Sequence, residues 1–482
     1  MPLIKTTSEL REQALEIFYH ALGAVDPARL VREVVGRGTA RRAPTLKIDS
    51  KSYALKEFNG VYAVGFGKAS APMAQVLEEI LGGWLKGGIV VVKEGHALPL
   101  KKIKILESGH PVPDRRSQEA AMTLLDWARG SSTEVQGFNP PEAERVQGAG
   151  PLPTKVAGPL PIKRDLVFCL VTGGGSALLC APPGDISLEE VKTATSLLLA
   201  SGAEIKEVNT VRKHLSLIHG GRLARALYPA TVINLVVSDV VGDVLDMVSS
   251  GPTLPDPSTY KGALEIVSKY GLAKRLPERV YEYLKRGVSG EVEETPKEGD
   301  VCFQDVHTFL LGSNMRALEA AKEKAIGLGY NTRILGSSFT GEAREVARVF
   351  SSKAREYREG DNPPSGPACL LAGGETTVTL KGDGRGGRNQ EFALASAMEI
   401  EGLEGVVILS GGTDGNDGPT EAAGAVVDGT TCRRARELGM EAEDFLMRND
   451  SHTFFCRLGD HIITGPTHTN VMDIMLCLTG GK

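Results

Sequence analysis

The sequence predicts an α/β protein of two domains with largely parallel sheets. Short β-branched runs alternate with helix-period segments over most of its 482 residues, the pattern of a layered fold. Glycine clusters stand directly behind many of those runs, where open sheets offer bare backbone to ligands. At 41% apolar and 24% charged, the chain can bury a sizeable core, so disorder and fibrous repeats are excluded.

The opening Thr6-x-x-Glu9 pair reads as a capping box for an amphipathic helix with Leu10, Ala14, Ile17 and Ala21 on one face. Strands are expected at Gly60–Phe66, Ile89–Val92, Leu166–Val171, Val232–Val237, Thr308–Leu311, Leu370–Ala372, Val406–Leu409 and His461–Thr464. Ser187–Ser201 opens on a Ser187-x-x-Glu190 box, and Met315–Ile326 is expected as a helix capped by Asn314. Linkers are expected at Gly287–Asp300 and Glu359–Pro367, the first marking the domain boundary. This gives domains over 5–285 and 301–480, with a Pro/Gly-rich insertion at about 131–161.

The net charge of -5, without a basic stripe, argues against nucleic acid as the main partner. The apolar runs are too short to span a membrane, and the first residues lack a signal core. Seven scattered cysteines read as buried hydrophobes in a reducing compartment, with the cytoplasm expected. The nine histidines form no HExxH or HxH pattern, so zinc has little support.

Chemistry concentrates behind the strands. Gly65-Phe-Gly67-Lys68 is neither a Walker loop nor a complete GxGxxG, but it places a lysine where a strand turns into a helix. An exposed surface lysine is the competing reading. Thr172-Gly173-Gly174-Gly175-Ser176 can surround a phosphate with N–H groups, and a hydrolase nucleophile elbow competes there. Asn209, Arg212 and Lys213 could meet an acidic substrate or line a solvated face. Asp239 and Asp243 follow a strand and suit Mg²⁺, with Asx-turns as the alternative. Glu375, Arg388, Asn389, Thr413 and Asp414 occupy similar loops in the C-terminal half. Arg388 at a helix start opposes the local dipole and calls for a compensating anion. Together these features point to phosphoryl transfer on a small anionic molecule.

The motifs jointly resemble the class II glycerate kinases, the glycerate 2-kinase family with a C-terminal MOFRL domain. The resemblance rests on GFGKAS at 65–70, GHPVPD at 109–114, TGGGSALL at 172–179, NTVRKHLS at 209–216, SDVVGD at 238–243 and SSGPT at 249–253. It continues with LAGGETTV at 371–378, GRGGRNQE at 384–391, SGGTDGNDGPTEAAGA at 410–425 and NDSHTFF at 449–455. It implies a Rossmann-like N-terminal domain, a MOFRL-type domain, an active site between them, and transfer of the ATP γ-phosphoryl to D-glycerate, giving 2-phosphoglycerate and ADP. Lys68 and Arg388 would be catalytic, with Asp239 and Asp414 as acidic partners for Mg²⁺ or a proton. Asp243 would be a second metal ligand, and Asp243 or Glu375 could substitute in the acidic roles. Ser176, Asn209, Arg212 and Asn389 are expected to bind substrate. Gly67, Gly173, Gly174, Gly175, Glu375 and Thr413 are expected at the nucleotide. The insertion departs from the family pattern, as does His468, where the family often has glycine. The alternatives are an NAD(P)H-dependent hydroxypyruvate reductase and a non-catalytic carboxylate-binding protein. A homo-oligomer is left open.

Overall fold

The computed structural model describes residues 5–37, 45–130, 164–359 and 366–480; the expected insertion at 131–161 lies outside them. The chain divides into two compact units, Leu30–Ser238 with Val244–Leu311, and Met1–Arg29 with Asp239–Asp243 and Gly312–Lys482. These units differ from the linear division into 5–285 and 301–480. The first helix and a five-residue turn belong with the C-terminal unit, while 301–311 belong with the other.

In the first unit β1 (Val35–Arg37), β2 (Thr45–Ile48) and β3 (Lys51–Ala54) form a small antiparallel sheet. The main sheet comprises β4 (Gly60–Phe66), β5 (Leu85–Lys93), β6 (Ile103–Ser108), β7 (Asp165–Thr172), β8 (Thr231–Val237) and β9 (Val306–Gly312). Its order is β6-β5-β4-β7-β8-β9, and the pairs from β6 through β8 are parallel. Every residue of β7 is buried, as expected of a parallel strand covered on both faces. Renumbered within the sheet, the order is 3-2-1-4-5-6, that of doubly wound dinucleotide-binding proteins. The order reverses between β4 and β7, so ligands are expected outside the carboxyl ends of those two strands.

In the second unit β10 (Asn331–Glu342), β11 (Ala368–Thr377), β12 (Val406–Gly412), β13 (Gly424–Asp428), β14 (His461–Ile462) and β15 (Asp473–Thr479) form a sheet ordered β10-β11-β15-β12-β13-β14. Only β10 and β11 pair in parallel; the other four pairings are antiparallel. The expectation of parallel strands fails here for a physical reason. A strand buried on both faces is a continuous apolar run whichever way it points. β15 is such a run, and the sequence gives no sign that it enters between β11 and β12.

Helix Thr7–Ala24 has the expected capping box at Thr6 and Glu9, and it buries Leu10, Ala14, Ile17, Phe18 and Ala21. It packs on β12, β15 and helix Asn314–Gly327. Arg11 fastens it by pairing with Asp428 and Asp460. The cap of Asn314–Gly327 is Ser313, whose hydroxyl accepts from the Arg316 N–H at 3.3 Å, rather than Asn314. Asn314 is buried and donates to the carbonyls of Val471 and Asp473, at 2.8 and 2.9 Å. On the sheet's other side lie helices Ala343–Glu359 and Arg388–Glu399, with Phe350 and Phe392 meeting at 5.7 Å between ring centres.

Candidate active site

The first cluster is built by the turns after β4 and β7. Gly67 has φ +120°, in a region that disfavours side chains, and a Cβ there would overlap the Thr172 hydroxyl and carbonyl oxygens. The two turns are bonded directly. The Lys68 N–H donates to the Gly173 carbonyl at 3.0 Å, and the Ala69 N–H donates to Thr172 Oγ1 at 3.1 Å. Lys68 and the glycine loop therefore come from distant sequence to one place, at the reversal of strand order.

Gly174, with φ +86°, turns the loop so that the N–H groups of Gly174, Gly175 and Ser176 have no protein acceptor among the described residues. Ser176 Oγ meets Ser250 Oγ at 2.7 Å, and Ser249 Oγ donates to the Thr172 carbonyl at 2.6 Å. Ser249 and Ser250 both have positive φ, +50° and +58°, a strained pair that the loop contacts hold in place. The SSGPT turn thus braces the glycine loop.

Arg212 donates from Nη2 to the Ser176 carbonyl at 3.0 Å. Burial lowers its pKa, and among the described residues no carboxylate lies within ion-pair distance of it. A desolvated guanidinium without a counter-charge is costly unless an anion arrives. Asn209, 6% exposed, is three residues earlier on helix Ile205–His214, hence on the same face. Its neighbour Lys213 is instead committed to Asp246 and Asp256, at 2.9 and 3.3 Å.

The second cluster surrounds Arg388 at the start of helix Arg388–Glu399. Its Nε and Nη2 donate to the two oxygens of Asp473 at 2.7 and 2.9 Å, and Nη1 pairs with Glu375 at 3.1 Å. Burial works against the charged guanidinium, but Asp473 and Glu375 outweigh it, so the Arg388 pKa is raised. The anion this placement calls for is therefore internal. The Nε–Nη2 edge of Arg388 is filled by Asp473, and Nη1, beside Glu375, is the part of the guanidinium left for the expected catalytic role.

Asn389 is likewise engaged inside the unit. It is 1% exposed, and its carboxamide is used by Asp473 at 2.9 Å and by Ser410, which donates to it at 2.7 Å. Thr413 is fully buried; its hydroxyl donates to the Met472 carbonyl at 2.7 Å and accepts from Val471 at 2.8 Å. Both lie inside the unit because their polar atoms bind the loops together. Asp417 caps the same helix, taking the N–H groups of Asn389 and Gln390 at 3.0 and 2.8 Å. Burial pushes its pKa up to about 6 against those donors.

Glu375, Asp239 and Asp414 gather near Arg388. Desolvation raises the Glu375 pKa; Arg388 opposes this, and Asp473, Asp239 and Asp414 add to it. Asp414 also accepts the Asn416 N–H at 3.2 Å, the Asx-turn considered above for the aspartates of such loops. Asp239 and Asp243 delimit the short turn assigned to this unit. Among the described residues no three His, Cys, Asp or Glu side chains form a ligand group for one metal ion. Mg²⁺ needs only one or two carboxylates plus phosphates and water.

Two residues of these clusters were not singled out from sequence: His110 beside the glycine loop, and Asp473 beneath Arg388. His110 lies in the GHPVPD motif. Asp473 had one legible signal, a lone acid in an apolar run, which is almost never buried unpaired.

Comparison with known proteins supports one assignment. The sequence matches a domain of unknown function (DUF4147) over residues 13–136 and 141–285, and the MOFRL family over 368–473. It is 38% identical to a glycerate 2-kinase of Pyrococcus horikoshii over 98% of both chains. The crystal structure of a glycerate kinase from Thermotoga maritima superposes with a TM-score of 0.80 at 38% identity, covering 98% of this chain and 100% of that one. A relative from Agrobacterium vitis, 42% identical over 86% of each chain, is provisionally named a hydroxypyruvate reductase.

Proposed function

The chain belongs to the glycerate 2-kinase family with its C-terminal MOFRL domain, and from that premise we propose that it transfers the γ-phosphoryl group of ATP to the 2-hydroxyl of D-glycerate. It is a phosphotransferase of the glycerate kinase type. The observation carrying the reading is the set of unmatched donors at the strand-order reversal. Among the described residues Arg212 has no acidic partner and three consecutive N–H groups have no acceptor, and the Lys68 backbone is fixed beside them. Phosphoryl transfer needs such fixed positive groups where negative charge gathers.

In this reading Lys68, Arg212, Asn209 and the 173–176 loop hold the anionic groups of the substrates. Arg388 holds Asp473 and Glu375 in place. The raised pKa of Glu375 makes it a stronger proton acceptor than a free glutamate, suited to taking the hydroxyl proton as oxygen attacks phosphorus. Asp239 and Asp414 are the other acidic candidates for that step. The mutual repulsion of these carboxylates fits a divalent cation; Asp239 and Asp243, with phosphate oxygens and water, would hold Mg²⁺, which supplies neutralisation of phosphate charge when bound. All seven cysteines are thiols rather than disulfides and six are buried, which fits a reducing cytoplasm. Among the described residues no helix is long and apolar enough to cross a membrane.

The test is ADP release with D-glycerate, with product phosphate located by phosphorus NMR. Lys68→Ala is expected to lower kcat by about 10³-fold, the scale of losing a fixed cation at a transferring phosphoryl group. A wild-type rate in that variant would remove Lys68 from the site. The reductase reading has the strand order and the names of two relatives in its favour. Against it, Ser70 replaces the third fingerprint glycine, and its hydroxyl bonds the Gly67 carbonyl at 2.8 Å. NADH consumption with hydroxypyruvate, without ADP release from glycerate and ATP, would decide for it.

A further inference from the structure

His110 sits in the turn Gly109–Asp114, between β6 and helix Arg115–Ala128. The turn is pinned at its base, because Asp114 Oδ1 accepts the N–H groups of Gly109 and Ser117 at 3.2 and 3.0 Å. Its imidazole is thereby delivered to the glycine loop. A Cβ on Gly174 would stand 2.9 Å from His110 Nε2, 3.1 Å from its Cδ2 and 3.5 Å from Lys68 Cγ. The ring edge bearing Nε2 therefore lies against Gly174, alongside the Lys68 stem.

The ring is partly buried, yet neither nitrogen hydrogen-bonds to any described residue. Burial, then Lys68, Lys93 and His96, push its pKa down to about 4, so it is neutral at pH 7. A neutral imidazole offers one N–H donor and one acceptor. Its surroundings are positively charged by Lys68 and Lys93, and the N–H groups of Gly174, Gly175 and Ser176 have no acceptor among the described residues. An anionic oxygen at the loop would accept from those N–H groups and from the imidazole together. A neutral donor also adds a directed bond without placing another charge beside Lys68.

We propose that His110 contacts the substrate at the 173–176 loop, donating from Nε2 to a phosphoryl or carboxylate oxygen. This rests on the reading of the chain as a glycerate kinase and adds a substrate-contacting residue to it.

The experiment compares His110→Ala and His110→Gln in the full chain, varying ATP and D-glycerate separately. The glutamine amide reaches close to the position of Nε2 and can donate from there. The alanine variant is expected to lose about 10- to 100-fold in kcat/KM for one substrate, the scale of a hydrogen bond to a charged group. The glutamine variant should recover most of that loss. A change confined to ATP identifies a phosphoryl oxygen, and one confined to glycerate identifies the carboxylate. Wild-type parameters in the alanine variant would overturn the proposal. So would equal impairment of both variants, the mark of a purely structural role. Should the alanine variant not fold, ¹⁵N NMR of the wild-type imidazoles decides. The His110 Nε2 resonance should move when a non-hydrolysable ATP analogue or glycerate is added, and an unmoved resonance with both overturns the proposal. Failure of the underlying reading looks different: the wild type itself would release no ADP.

Discussion

Replacing Asp473 by alanine is expected to lower stability by about 3 kcal/mol and kcat/KM by about 100-fold or more. Asp473 is fully buried and accepts from both arms of the Arg388 fork and from Asn389. Its removal leaves a guanidinium and a carboxamide without their acceptor. Breaking a buried pair from one side costs about 3–5 kcal/mol. The lower end applies because Arg388 keeps Glu375 and is 29% exposed. Activity should fall further than stability alone implies, since Arg388, released from Asp473, no longer holds Glu375 in one fixed geometry. Asp473→Asn keeps the shape and one acceptor oxygen, so it should fold better yet still lose rate. Urea unfolding and ADP release check the two effects separately. A variant Asp473→Ala with unchanged stability and rate would show that the fork does not organise this cluster.

The second large effect is expected at Gly67. A methyl group at this position must share space with the Thr172 carbonyl, and its φ of +120° is unfavourable for any side chain. Strain and overpacking each cost about 1–3 kcal/mol. Gly67→Ala is thus expected to destabilise by about 2–6 kcal/mol. It also pushes the Lys68 turn away from the glycine loop, and a displacement near 1 Å can cost about 100-fold in rate. Gly83→Ala is the control: its Cβ would meet nothing within 4 Å, so stability should change by less than about 0.5 kcal/mol. Thermal melts and turnover of the two variants side by side make the comparison. Equal behaviour would mean that the approach of the two turns is not tight.

Sequence and structure agree most closely where the signal is local. The Thr6 and Ser187 boxes, the strand Gly60–Phe66 and the burial of Cys169, Cys369 and Cys477 all follow from patterns a few residues long. The placement of Lys68 near the glycine loop was legible as motif and position, because both follow strands. What the sequence hides is pairing. Arg388 reads as a cation in need of an anion, but nothing near it in sequence says that the anion is Asp473, 85 residues on. Asn389 and Thr413 look like site residues because polar groups in glycine loops usually face solvent; here they knit buried loops together. Strand direction in the second sheet is hidden for the same reason, since burial on both faces erases the alternation that would reveal it.

The docking of helix Thr7–Ala24 on the C-terminal unit has a consequence for biosynthesis. This helix leaves the ribosome before any strand it will cover exists. Phe18 lies so close to β12 that a Cβ on Gly411 would come within 2.7 Å of its ring. Until Gly411 and β15 have been translated, the apolar face with Leu10, Ile17 and Phe18 has nowhere to go. The intervening unit carries its own sheet and can fold meanwhile, as domains do during synthesis. The nascent chain therefore trails a sticky amphipathic segment for most of its translation. Closing so long a loop is a late and slow event, and during that interval the apolar face stays uncovered.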